Sequence, residues 1–289
     1  MSALRGPTAA EQGRKDGPML ASQRRARILE EIRRSGAVRV SALVERLGVS
    51  DMTVRRDLEV LAQQGQLQKV HGGAVLPGGR STEEPGFAAK SSRENAEKLA
   101  IAEAAVRLVE PGMAVGVSAG TTTWTFARLL RDLPDLTVVT NSVQVADVFS
   151  RRPRTDQTVV LTGGIRTPSE ALVGPFAVAA IRSVNLDIMF MGVHGMDVHN
   201  GYTTPNLMEA ETDRAFVEAS RRFVVLADHT KYGVLGISTI ADVDAADVLI
   251  TDSGLADEHQ QALRERVGDL VVVDAAAEDD ASSESETGA

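Results

Sequence analysis

Residues 50–58, which read Ser50-Asp51-Met52-Thr53-Val54-Arg55-Arg56-Asp57-Leu58, follow a short apolar helix pattern and a turn at Gly48. Ser50 is a favoured helix N-cap. The segment carries Thr53, Arg55 and Arg56 in its first two turns and apolar residues at helical spacing behind them. The recognition helix of a helix-turn-helix has this division, cationic towards DNA and apolar towards its own domain. The stretch therefore predicts DNA contacts from Ser50, Thr53, Arg55 and Arg56.

The flanking residues complete a small DNA-binding module. Helical spacing predicts a first helix over 22–34, a second over 40–47 ended by Gly48, and a third from Asp51 to about Gln64 with Val54, Leu58 and Leu61 facing inward. The alternating segment 66–75 with its Gly72-Gly73 turn predicts a β-hairpin. This hairpin would be a wing that presents Lys69 and His71 to the DNA.

The charge distribution supports this interpretation. Ten basic and six acidic residues lie between Leu20 and Val75, a local charge of +4 in a chain whose net charge is −9. A basic module on an acidic body is the asymmetry expected of a protein that binds DNA through one domain. A general chromatin-associated protein fits less well, because the basic face is small.

Length and composition bound the remaining possibilities. The 289 residues can hold two domains, and they include no cysteine and no apolar run of membrane-spanning length. We expect a cytoplasmic protein with no membrane association, nucleoid-associated when bound to DNA. The predicted organisation is a disordered tail over 1–19, a DNA-binding domain over 20–76, a linker over 77–92, a second domain over 93–274 and an acidic disordered tail over 275–289.

The second domain alternates apolar strands with helices. The strands are predicted near 114–117, 137–140, 158–161, 186–192, 223–227, 248–250 and 270–273, with helices at 124–130, 143–149 and 207–219. Nearly continuous apolar strands joined by crossover helices indicate a mainly parallel α/β sheet covered on both faces.

Polar and glycine-rich loops follow several of these strands, at the sheet edge where ligands bind in open α/β folds. Gly120 lets a ligand approach the backbone, and Thr121 and Thr122 open a helix, which is a favourable anion site. Asn141 suits sugar hydroxyls, and Lys231 suits a phosphate. The loops at Gly163 and Gly195 reach the same edge. The set predicts a binding site for a small polyol phosphate.

Each of these features also has a purely structural interpretation. A Gly-Thr-Thr turn is most often a helix cap, and a single lysine is most often a solvated surface charge. The five histidines show no metal-ligand spacing, so we expect neither a metal site nor a cofactor. The convergence of several polar loops on one edge favours the ligand site.

The motifs in their order resemble the DeoR family of transcription regulators. The similarity covers about 20–274 and is carried by these segments: 27–29, 40–43, 47–50, 53–58 and 71–74 in the first domain, and 97–102, 120–122, 140–142, 163–164, 192–201 and 228–231 in the second. One position departs from the family, because Ser118 stands where members commonly carry an aspartate.

The resemblance implies a winged helix-turn-helix followed by a sensor domain related to ribose-5-phosphate isomerase and glucosamine-6-phosphate deaminase. It implies a repressor of a carbohydrate operon that a phosphorylated sugar releases from operator DNA, with Lys98 among the effector-binding residues. It also implies a homo-oligomer, a dimer or tetramer, and no catalytic residues.

The alternative is a sugar-phosphate isomerase or deaminase with an appended DNA-binding domain. Such an enzyme needs a general base beside a carbonyl. Asp197, Glu209, Glu211 and Asp228 are the candidates, and the sequence pairs none of them with a histidine. We expect a regulator rather than an enzyme.

Overall fold

The structure, a computed structural model, describes residues 20–35, 37–63, 66–70, 73–75, 86–91 and 93–275. The chain divides into two compact units, Met1–Gly78 and Gly79–Ala289. The predicted tail over 1–19, His71, most of the predicted linker and nearly all of the acidic tail lie outside the described residues. No helix within the described ranges is long and apolar enough to cross a membrane.

The first unit is a helix-turn-helix with a short antiparallel sheet. Its elements are α1 (Ala21–Ser35), β1 (Ala37–Arg39), α2 (Val40–Leu47), α3 (Asp51–Gln63), β2 (Gln68–Val70) and β3 (Gly73–Val75). The hairpin β2–β3 forms as predicted, and β3 also pairs with β1. Strand β1 was not predicted because three residues are too few to show an alternation of apolar and polar side chains.

Two capping residues set the turn between α2 and α3. Gly48 adopts φ 63° and its amide donates to the carbonyl of Val44, which ends α2 in the left-handed conformation that glycine tolerates. The Ser50 Oγ accepts a bond from the amide of Thr53 at 3.3 Å, the N-cap bond predicted for α3. The inward face of α3 is buried, with Val54, Leu58 and Leu61 at most 2% exposed.

The second unit is an α/β sandwich. Its helices are α4 (Phe87–Ser91), α5 (Asn95–Val106), α6 (Thr121–Leu130), α7 (Val143–Ser150), α8 (Pro175–Arg182), α9 (Leu207–Ala219) and α10 (Asp257–Arg264). Its strands are β4 (Ala114–Val117), β5 (Leu136–Thr140), β6 (Gln157–Leu161), β7 (Ile165–Arg166), β8 (Leu172–Val173), β9 (Ile188–Gly192), β10 (Gly195–Asp197), β11 (Gly201–Thr204), β12 (Phe223–Leu226), β13 (Ser238–Ala241), β14 (Val248–Asp252) and β15 (Asp269–Val273). Helix α4 falls within the segment that the sequence predicted as a linker.

Seven strands form one parallel sheet in the order β15-β14-β12-β9-β4-β5-β6. Neighbouring residues along a strand point to opposite faces, so Ile188 and Phe190 of β9 join one apolar cluster and Met189 and Met191 join the other. The predicted fold class, a winged helix-turn-helix followed by a mainly parallel sheet covered on both faces, is confirmed.

The order of the strands places a crevice at the centre of the sheet. From β4 the chain proceeds through β5 and β6 towards one edge, and from β9 through β12, β14 and β15 towards the other. The loops after β4 and β9 therefore diverge, and ligands of such sheets bind at this switch point beyond the carboxyl ends of the strands.

A second, antiparallel sheet of β10, β11 and β13 lies beyond β9. Gly195, Met196 and Asp197 form β10 and pair with Thr203, Tyr202 and Gly201. The sequence analysis placed Gly195 in a ligand-facing loop, and this was wrong. The segment is only three residues long and follows directly on β9, so it looked like the strand's terminal loop.

Candidate functional site

Three of the residues predicted to contact DNA lie together at the start of α3. Ser50, Thr53 and Arg56 line one shallow depression with the side chain of Met52, which is 80% exposed. The hydroxyls of Ser50 and Thr53 lie 2.9 Å apart. This part of the first unit therefore offers hydroxyl, guanidinium and thioether groups on one accessible surface.

Arg55 lies outside that depression. Its Nε donates to the Asp51 Oδ1 at 2.5 Å, one helical turn away, and both side chains are 58% exposed. An exposed pair of this kind contributes little to stability, so the guanidinium can exchange its partner at little cost. Lys69 lies on β2 of the wing.

A buried ion pair fixes the recognition helix. The Nε of Arg24 on α1 donates to the Oδ2 of Asp57 on α3 at 2.5 Å, and Asp57 is 5% exposed. Arg24 is one of the ten basic residues behind the local charge of +4, and in the structure it holds α3 against α1.

A pocket at the switch point contains five of the eight residues predicted to bind an effector. Gly120, Thr121, Thr122, Asn141 and Lys231 all line it. The first turn of α6 begins here, and Gly120 at its N-cap offers no side chain to satisfy the helix amides. The amides at this helix end favour an anion.

The other three predicted residues are not part of the lining. Gly163 follows β6, the edge strand two positions from the switch point, and Gly195 pairs within β10. Lys98 is 3% exposed, and its ammonium donates to the backbone carbonyls of Lys90, at 2.7 Å, and Arg93. Burial lowers the pKa of Lys98 to about 8, although the nearby Asp228 opposes that shift.

Asn141 bonds the backbone on both sides of the pocket edge. It is 1% exposed, its Oδ1 accepts from the amide of Ala119 at 2.9 Å, and its Nδ2 donates to the carbonyl of Leu172 at 3.3 Å. The sequence predicted that this amide binds a ligand hydroxyl. In the structure the amide also holds the loop after β4, through one bond at Oδ1 and one at Nδ2, and the residue lines the pocket.

Two titratable groups beside the pocket have shifted pKa values. Burial would raise the pKa of Asp228, but four nearby groups outweigh the effect of burial and lower this pKa. They are Lys231, the Thr230 hydroxyl, His229 and Lys98. Burial, together with Lys90 and Lys231, lowers the pKa of His194 to about 4. His194 therefore lines the pocket as a neutral imidazole at neutral pH.

Ser118, the position that departs from the family, supports the crevice. Its Oγ accepts from the amide of Gly192 at 3.1 Å and the residue is 2% exposed. This bond joins the end of β4 to the end of β9 across the switch point.

Sequence reasoning did not assign several lining residues to a ligand site. They are Phe87, Lys90, Ser169, His194, Thr204, Glu209 and Asp213. Glu209 had a local signal, since Asn206 caps α9 through the amides of Met208 and Glu209, and a carboxylate three residues after a cap marks a helix start. The others come from segments that only the fold brings together.

Only one of the four carboxylates considered for an enzyme lines the pocket. Glu209 lines the pocket, whereas Asp197 accepts bonds from His199 and Asn200 in an exposed turn. Glu211 is exposed, and Asp228 lies beside Lys231.

Comparison with known proteins identifies both units. Residues 24–78 match the DeoR-like helix-turn-helix domain, and residues 93–253 match the DeoR C terminal sensor domain. A putative aga operon transcriptional repressor of Escherichia coli O157:H7 is 32% identical over 87% of this chain and 94% of its own length. The HTH-type transcriptional regulator GlpR of Haloferax volcanii is 36% identical over 84% of this chain and 94% of its own.

Ribose 5-phosphate isomerase A of Methanocaldococcus jannaschii is 19% identical, with a TM-score of 0.35 over 48% of this chain and 54% of that one. A likeness of this extent does not define an activity.

The helix-turn-helix, the sensor fold and the relatives define the class: the chain is a DNA-binding transcriptional regulator. It belongs to the DeoR family, as its sequence motifs predicted.

Proposed function

We propose that this regulator is a repressor of a carbohydrate operon and that a phosphorylated sugar releases it from its operator. The observation that carries the proposal is the pocket at the switch point, whose lining includes the uncapped start of α6, Lys231 and Lys90. Helix amides and ammonium groups are the partners that a phosphate monoester requires. The Escherichia coli O157:H7 relative is named a putative operon repressor, which supports repression as the direction of control.

The DNA-binding half of the proposal rests on the first two turns of α3. We assign Ser50, Thr53, Arg55 and Arg56 to the major groove, and Lys69 and His71 of the wing to the backbone or minor groove. A mobility-shift assay on DNA from the chain's own promoter region tests this. Arg55→Ala and Arg56→Ala should each weaken binding, and unchanged affinity of both variants would remove the assignment.

The sensing half requires the effector to bind the DNA-free state more tightly than the DNA-bound state, since an effector with equal affinity for both shifts nothing. A coupling of about 1–3 kcal/mol changes operator affinity roughly 5–150-fold. Sugar phosphates are titrated against the operator complex. Release that survives the double variant Thr121→Ala with Lys231→Ala would refute this pocket as the effector site.

The proposal includes a cytoplasmic homo-oligomer that has no isomerase or deaminase activity. Half-sites repeated one helical turn apart need more than one recognition helix, which an oligomer supplies. Sedimentation measures the oligomeric state. Incubation with pentose and hexosamine phosphates measures turnover, and product formation would favour the enzyme.

A further inference from the structure

One part of the pocket lining is built around Glu209. This carboxylate is 8% exposed, and three hydroxyls lie within hydrogen-bond distance of it. The Thr167 Oγ1 lies 2.6 Å from its Oε1, the Thr204 Oγ1 lies 3.1 Å from its Oε2, and the Ser169 Oγ also bonds Oε1.

These bonds use up the protons of the cluster. A hydroxyl has one proton to donate and two lone pairs that accept. The oxygens of Thr167 and Ser169 also lie 2.8 Å apart, so both of their protons are engaged in hydrogen bonds to Glu209 or to each other. The Thr204 hydroxyl donates its proton to Glu209. No hydroxyl proton of the cluster remains for a ligand.

This part of the pocket lining therefore presents only acceptors from these groups. Ser169, Thr204 and Glu209 line the pocket. Ionised carboxylates accept and cannot donate. An anionic or carbonyl group of a ligand would meet oxygen lone pairs here, whereas ligand hydroxyls would find partners.

We infer that the pocket takes a phosphate monoester whose other end carries hydroxyl donors and no second anionic group, and that Glu209 is the residue that sets this selectivity. The inference rests on the proposed function and narrows its ligand class. The phosphate binds at the start of α6 with Lys231, and the hydroxyls bind Ser169, Thr204 and Glu209. A sugar bisphosphate or a phosphorylated carboxylic acid places negative charge against these acceptors.

The test is calorimetric titration of the full chain with matched ligands. We use ribose 5-phosphate, fructose 1-phosphate and glucose 6-phosphate as monophosphates, and fructose 1,6-bisphosphate and 3-phosphoglycerate as ligands with a second anionic group. At least one monophosphate should bind 10-fold or more tightly than both of the latter.

Glu209→Gln introduces an amide donor into the same shape. The variant should bind the monophosphate roughly 10-fold more weakly and should reduce the ratio of monophosphate affinity to bisphosphate affinity. Competition by inorganic phosphate should stay unchanged. Glu211→Gln on the exposed face of α9 is the matched control and should change none of these values. If Glu209→Gln does not fold, Ser169→Ala, which removes one hydroxyl of the cluster, should reduce the same ratio.

The possible outcomes distinguish a failure of this inference from a failure of the proposed effector site. The inference is overturned if the bisphosphate or 3-phosphoglycerate binds as tightly as the monophosphates or more tightly. It is also overturned if Glu209→Gln and Ser169→Ala leave the selectivity unchanged. Either result leaves the proposed effector site standing. If folded, DNA-binding protein takes up none of these phosphates at millimolar concentration, the proposed function fails and the inference fails with it.

Discussion

The ammonium of Lys98 on α5 lies 2.7 Å from the backbone carbonyl of Lys90 at the end of α4, and it also bonds the carbonyl of Arg93. The side chain of Lys90 lines the pocket. A buried cation thus anchors the backbone of a pocket residue rather than touching the pocket itself.

Lys98→Met should loosen α4 without unfolding the sensor. The variant loses two charge-assisted bonds, each of about 1.5–3 kcal/mol, but it also escapes the cost of burying an ammonium. We expect amide hydrogen exchange over 87–91 to accelerate roughly 10-fold. Leu99→Met, an exposed change on the same helix, is the control. Unchanged exchange in α4 would show that the anchor is unimportant.

Asp57→Asn should destabilise the first unit, because it removes the buried carboxylate charge that bonds Arg24 and lies 3.9 Å from Arg25. Breaking a fully buried pair costs roughly 3–5 kcal/mol. The Arg24 side chain keeps 12% exposure, which places the expected cost at or below the lower end of that range. Urea denaturation measures it. Asp51→Asn, which breaks the exposed pair with Arg55, should change stability by less than about 1 kcal/mol; equal effects of the two variants would contradict the assignment.

Gly195→Ala should destabilise the sensor strongly. A Cβ at Gly195 would lie 1.9 Å from the carbonyl oxygen of Val234, which is backbone and cannot move aside easily. We expect a loss of about 1–3 kcal/mol or more. Gly163→Ala is the comparison, since a Cβ there meets nothing within 4 Å and only its φ of 73° is unfavourable, at roughly 1–2 kcal/mol. A mild effect at Gly195 and a larger one at Gly163 would reverse the prediction.

Stability of the sensor should fall in mild acid because of His194. Its folded pKa of about 4 lies below its ordinary value of 6.5. As the pH falls from 6.5 towards 4, the unfolded chain takes up a proton that the folded chain does not, so unfolding is favoured, by no more than about 3 kcal/mol. Urea midpoints at pH 7 and pH 5 should differ less for His194→Asn than for the parent chain. His199→Asn, at an exposed position, should keep the full difference.

The elements of this fold were predictable because their signals are local. Gly48 and Ser50 mark the turn of the helix-turn-helix within three residues, and the alternation of β9 between two apolar clusters follows from a continuous apolar run. Strand β10 was missed because three residues are too few to show an alternation of apolar and polar side chains. Helix α4 was missed because the sequence around it is rich in Gly and Pro.

Only the pocket residues at the start of α6 could be predicted from the sequence. Gly120, Thr121 and Thr122 are contiguous and follow a recognisable strand, so their role could be predicted from their order. The cluster around Glu209 joins residues that lie about 40 positions apart and depends on which hydroxyl donates to which oxygen. Asn141 was placed at the correct edge, but whether its amide serves a ligand or the backbone depends on atomic distances.

Helix α4 has a practical consequence for work on isolated sensor domains. The family sensor match starts at residue 93, whereas Phe87 and Lys90 line the pocket, Phe87 packs edge-to-face on Trp124, and its amide bonds the carbonyl of Pro168. A protein truncated at residue 93 would lack two lining residues and one acceptor of Lys98. Ligand screens on such a truncated sensor would underestimate affinity, and a fragment that begins no later than Gly86 avoids that error.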